Sequence, residues 1–144
     1  MSTLSLRKIG YLVNEGRKSH DFIVVMFKMW LTNNGVSEEK IMIQREMRGV
    51  QPDIVVLGEG GRIKSVWEII EPDQNWNLRN KDVRKKLEVL IVKAYNHILA
   101  PEVSVLTDGI SMLIYDQRGA VLTEINDLSK VEDDLEEKIK EIVL

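Results

Sequence analysis

Apolar positions along the chain follow two periods, and the order in which they alternate outlines a fold. Phe22, Val25, Met26, Met29 and Trp30 recur at helical spacing, with Ser19 as N-cap, Asp21 in the first turn and Asn33-Asn34-Gly35 as the stop. These Met and aromatic positions are expected in the core. The first ten or so residues are mildly amphipathic and predict a short helix or an arm. After Gly35 the period drops to two, Ile41, Ile43 and Arg45 alternating with Met42, Gln44 and Glu46, which predicts a strand. Two more strands follow, Ile54 to Leu57 and a run through Val66-Trp67-Glu68-Ile69-Ile70, joined by a Glu-Gly-Gly turn and closed by Pro72. Beyond a polar stretch from Asp73 to Leu78, a long helix is predicted from Asn80 to Leu99. Its buried stripe is Val83, Leu87, Leu90, Ile91, Ala94 and Ile98. Val103 and Val105 lie on a strand, Thr107-Asp108-Gly109 turns, and Ile110 to Tyr115 returns. Gln117-Arg118-Gly119 turns again before Val121 to Ile125. A final helix over about 127–143 places Leu128, Val131, Leu135, Ile139 and Ile142 on one side. This order predicts one α/β domain over 1–144, with a mixed sheet flanked by helices and a core at about 19–125.

The central hairpin carries the candidate chemistry. Side chains alternate along a strand, so Lys64, Val66, Glu68 and Ile70 share one face of the second strand while Ser65, Trp67, Ile69 and Glu71 share the other. Glu68 therefore sits among apolar neighbours, and Asp53 at the start of the partner strand brings a second carboxylate close. Burying an unpaired charge costs several kcal/mol, or the group takes up a proton. A cation between two such acids resolves the conflict, and oxygen ligands select a hard ion such as Mg²⁺ or Mn²⁺. The structural alternative is that Glu68 pairs with Lys64 or an arginine, or lies at a frayed strand end.

Composition narrows the chemistry. With 44% hydrophobic and 30% charged residues, the 144-residue chain is expected to be globular and soluble. It has no cysteine, which removes disulfides, thiolate metal sites and cysteine nucleophiles, and His20 and His97 are its only imidazoles. No apolar stretch approaches the ~20 residues of a membrane span, and the N-terminus lacks a signal-peptide core, so a cytoplasmic location without membrane attachment is expected. A net charge of −3 leaves no overall footprint for nucleic acid. The charge is uneven, however: Arg79, Lys81, Arg84, Lys85, Lys86 and Lys93 make the long helix basic, while the last helix is acidic.

Several segments together resemble one family. Gln51-Pro52-Asp53-Ile54-Val55-Val56-Leu57 followed by Val66-Trp67-Glu68-Ile69-Ile70-Glu71-Pro72 resembles the core motif of the PD-(D/E)XK nuclease superfamily. Tyr95-Asn96, Pro101 to Ile110 with its Thr-Asp-Gly turn, and Leu113 to Asp116 are similar to the N-terminal nuclease domain of type I restriction enzyme motor subunits. The resemblance covers about Ser19 to Asp116. It implies a restriction-endonuclease-like fold and metal-dependent hydrolysis of DNA phosphodiesters. Asp53, Glu68 and the backbone carbonyl of Ile69 would hold Mg²⁺ or Mn²⁺, with Asp21 as an auxiliary acid from the preceding helix. Arg79, Lys81, Arg84, Lys85 and Gln74 are the candidate DNA contacts, and a homodimer and protein partners are compatible with the family.

Two positions depart from the pattern. The family lysine two residues after the glutamate is Ile70 here, and the glutamine four residues before the helix tyrosine is Ile91. Isoleucine neither donates a hydrogen bond nor carries charge. Either a cation has migrated, with Lys64 as the catalytic candidate and Arg84 or Lys85 behind it, or the fold is kept and its chemistry is lost. The second case is a module that binds DNA or a protein through the same surface.

Overall fold

The computed structural model describes residues 4–144; the first three positions of the expected N-terminal helix or arm lie outside them. Its centre is one six-stranded sheet in the order β1-β2-β3-β4-β5-β6, formed by β1 (Ile41–Ile43), β2 (Ile54–Leu57), β3 (Ile63–Ile69), β4 (Val103–Thr107), β5 (Met112–Tyr115) and β6 (Val121–Ile125). Every neighbouring pair is antiparallel except β3 and β4. That parallel pair exists because a helical crossover joins the two strands, returning the chain to the same end of the sheet.

Each face of the sheet has its own cover. Ile54, Val56, Trp67, Ile69, Val105, Met112 and Ile114 point into the larger core with helices α1 (Leu6–Asn14), α2 (His20–Asn33) and α5 (Asp133–Val143). Trp67 anchors this side, its ring 5.3 Å from that of Phe27 and 6.3 Å from that of Trp30. Val55, Val66, Ile70, Leu106, Leu113 and Tyr115 point the other way, beneath the crossover formed by α3 (Lys81–Leu87), a π-helical turn (Glu88–Val92) and α4 (Lys93–Leu99). The alternation expected along β3 holds: Val66 and Ile70 lie on the crossover side and Trp67 and Ile69 on the other.

Two expected helical faces are displaced. In α2 the buried residues are Ile23, Val24, Phe27, Trp30 and Leu31, while Val25 and Met29 are exposed. That helix is apolar almost all round, so its periodicity does not choose a face and packing against the sheet does. In the crossover the buried residues are Val83, Leu87, Val92, Tyr95 and Leu99, and Leu90 faces solvent. The π-turn is the reason, because its wider i→i+5 turn takes up one extra residue and rotates everything after it.

Strand β1 is shorter than its alternation predicts. Gln44 and Arg48 both adopt left-handed φ values, 50° and 52°, and turn the chain away after Ile43. Gln51 stabilises that turn, its Nε2 donating to the Gln44 carbonyl at 2.6 Å. The final helix also starts later than expected. Asp127 caps a short 3₁₀ turn, Leu128–Lys130, and α5 begins at Asp133. The Thr107-Asp108-Gly109 turn is closed by the fully buried Asp108, whose Oδ1 accepts the N–H groups of Ile110 and Ser111 and whose Oδ2 accepts that of Leu78 at 3.0 Å. This one carboxylate therefore ties the polar segment before α3 to the far ends of β4 and β5.

Candidate functional site

The hairpin register brings the two acids together. Ile54 pairs with Trp67 across β2 and β3, so the residues just outside that pair, Asp53 and Glu68, lie opposite one another at the ladder's end. Asp53 is buried and completes the ladder itself: its N–H donates to the Trp67 carbonyl at 3.1 Å, and its Oδ2 accepts the Ile69 N–H at 2.7 Å. The carboxylate thus occupies the place a further backbone carbonyl would take in a longer strand.

Glu68 points to the crossover side, where its Oε1 accepts the Tyr95 hydroxyl at 2.7 Å. Burial, then the nearby Asp53 charge, pushes its pKa from 4.5 up to about 7, although the Tyr95 hydroxyl and the nearness of His20 pull it down. Tyr95 is shifted well above the ordinary phenol range, first by its own burial and then by Glu68. Near neutral pH the two acids consequently share less than two full negative charges.

His20 is the member that sequence reasoning missed as a site residue. It is the first residue of α2, and its Nε2 lies 2.9 Å from Asp53 Oδ1. Its Nδ1 is 3.4 Å from Asp21 Oδ1, and its backbone N–H donates to Glu71 Oε1 at 3.2 Å. The Ser19 cap, whose Oγ accepts the Phe22 N–H, sets the start of the helix and with it this ring. The resemblance implied an auxiliary acid, Asp21, from the start of this helix, but only the tertiary fold distinguishes His20 from its neighbour.

The remaining candidates separate from the pair. Asp21 is almost fully exposed and reaches only the far nitrogen of His20. Lys64 shares the Glu68 face but stands four residues back, about 13 Å along a strand, and its Nζ pairs with Glu102 at 3.1 Å. Arg84 is held by Glu124 at 2.6 Å and by Glu88 at 3.4 Å. Ile70 packs with Leu78, Val83 and Leu87 in the apolar cluster under α3, and the partly buried Ile91 joins the same cluster. Among the described residues, Lys64 and Arg84 are thus engaged by other acids, and Ile70 is surrounded by apolar side chains. Gln74, Arg79, Lys81 and Lys85 are exposed, the first two on the segment after β3 and the last two on α3. His97 and Trp76 are exposed as well, His97 in the last turn of α4.

Among the described residues, no three His, Asp or Glu side chains are grouped so as to hold a metal ion by themselves. The pair Asp53 and Glu68 still suits a hard cation, because two close carboxylates, one carrying a strongly raised pKa, are what an ion would relieve. A Mg²⁺ site of one or two carboxylates completed by water and substrate phosphate needs no third side chain.

No family model matches the chain, and no curated protein matches its sequence. Its structure is similar to a chain of a DrdV–DNA complex determined by electron cryomicroscopy, with a TM-score of 0.57 and 14% sequence identity. The match covers 87% of this chain and 12% of that one, so the domain spans about an eighth of its neighbour's length. No helix among the described residues is long and apolar enough to cross a membrane. The six-stranded mixed sheet with helices on both faces is the restriction-endonuclease-like fold.

Proposed function

We propose that this domain is nuclease-like and acts on DNA phosphodiesters, with Mg²⁺ or Mn²⁺ held by Asp53, Glu68 and the backbone carbonyl of Ile69. The observation that carries the reading is the register: two acids face each other across the open end of β2 and β3, where burial and the neighbouring Asp53 raise the pKa of Glu68. Bound there, the ion would polarise the scissile phosphate and generate a water nucleophile. Within the chain, His20 holds Asp53 through Oδ1, the Ile69 N–H holds it through Oδ2, and Tyr95 fixes Glu68. Gln74, Arg79 and Lys81, exposed on the segment that follows β3 and at the start of α3, supply contacts to the DNA backbone.

Supercoiled plasmid incubated with Mn²⁺ should be nicked, and Asp53→Ala should abolish the nicking. Equal activity in that variant would sink the proposal. A second reading is supported by Ile70, which packs in the apolar cluster under α3 at the position where the nuclease pattern has its lysine. In that reading the domain binds DNA without cutting it. Isothermal titration would then give no heat with Mn²⁺ while DNA affinity persists and falls steeply with salt.

A further inference from the structure

Leu90 belongs to the buried stripe of any regular helix drawn through this crossover, yet it is 67% exposed, and Val89 beside it is 56% exposed. The π-turn causes this by carrying Val92 and Tyr95 to the sheet and turning Val89 and Leu90 outward. The two residues have apolar company. Val89 and Val121 line one groove of about 550 Å³ between the crossover and the turn before β6. Val89 and Leu90 line a second, of about 410 Å³, with Lys85 and Lys86. Val121 and Leu122 lie exposed on β6, the edge strand of the sheet. Exposed apolar side chains gathered into one patch and rimmed by polar residues mark an interaction site.

Its rim is mainly basic. Lys85, Lys86, Lys93 and Arg118 border the two grooves. Glu88, which lines the first groove, and the nearby Glu124 are both engaged by Arg84, and Glu88 also accepts the Tyr115 hydroxyl at 2.6 Å. We propose that this surface docks an acidic amphipathic segment of a partner protein, its apolar side chains over Val89, Leu90 and Val121 and its carboxylates against the lysines and Arg118. Charge selects among occupants. A second copy would set the same basic rim against itself across a two-fold axis, and a DNA backbone would leave the apolar centre facing phosphates.

The test is selection of a random peptide display library against the folded domain, followed by fluorescence anisotropy of the enriched peptides. The expected result is enrichment of sequences mixing Asp or Glu with large apolar residues. Their affinity should fall at least about tenfold in Leu90→Ser and in the Lys85→Glu, Lys86→Glu double variant. Both variants alter exposed side chains, and circular dichroism checks that they fold. Failure to enrich any peptide, enrichment without acidic residues, or equal binding to either variant overturns the proposal. So does a concentration-dependent dimer in sedimentation that Leu90→Ser dissolves, which assigns the surface to a second copy. Loss of duplex DNA binding in Leu90→Ser overturns it in favour of nucleic acid.

Discussion

At the scale of single residues, Glu68 carries the clearest physical signature. Its carboxyl keeps a proton up to about pH 7 in the folded chain but releases it near 4.5 when exposed. The folded state therefore binds the extra proton between those values, and this contribution to stability is full below pH 4.5 and disappears as pH rises through 7. Over that window the effect is about 3 kcal/mol. Urea unfolding in the presence of a chelator should show the midpoint falling from pH 4.5 to 7.5, and Glu68→Gln should flatten the slope. A slope unchanged in that variant would mean that another group is titrating. The two acids and their hairpin were legible in the sequence because glycines mark the turn and alternation assigns the faces. His20 was not, because its contact with Asp53 spans residues far apart in the chain and depends on where α2 ends up against the sheet.

Among elements, the crossover is where pattern and structure part. Apolar residues at 83, 87, 90, 91, 94 and 98 fit a continuous α-helix, and nothing in that spacing announces an inserted residue. The choice is made by what lies beneath: Val92 packs with Leu106, Leu113 and Tyr115, Tyr95 reaches Glu68, and Leu99 packs on Val55 and Val66. Removing one residue from the π-turn restores the regular phase. Deletion of Leu90 is thus expected to keep the fold and the helix content, with a stability change within about 1 kcal/mol. Circular dichroism and thermal melting check this, and collapse of the fold would show that the bulge itself is required. The same deletion removes a side chain of the proposed docking surface, so peptide affinity should fall while the melt is preserved.

For the whole molecule, one buried acid joins three helices. Glu136 of α5 accepts the Leu6 N–H at 2.9 Å, at the start of α1, and the Trp30 indole N–H of α2 at 3.2 Å, with Lys140 at 3.9 Å. Truncating it leaves two buried donors without a partner, so Glu136→Ala should cost about 2–4 kcal/mol in urea unfolding. Glu136→Gln, which keeps one acceptor, should fall between. Beside this junction α1 lies close against the turn Leu128–Lys130, where a Cβ at Gly10 would come within 2.8 Å of Leu128. The helices on this face therefore form one unit, and the sheet end bearing Asp53 is held from that side through α2 and His20.

The sequence by itself determined the order of helices and the first five strands along the chain, the hairpin that pairs Asp53 with Glu68, the Thr-Asp-Gly turn and the absence of a lysine at position 70, because each depends on local spacing or on backbone freedom at glycine. Only the tertiary structure decided which side of α2 is buried, where the crossover helix widens, and which side chains surround the two acids. Those outcomes are set by competition among contacts distant in sequence: His20 against Asp53, Tyr95 against Glu68, Lys64 drawn away by Glu102, and Ile70 drawn into the apolar cluster under α3. Alternation places a side chain on a face of the sheet, but packing and charge decide what it meets there.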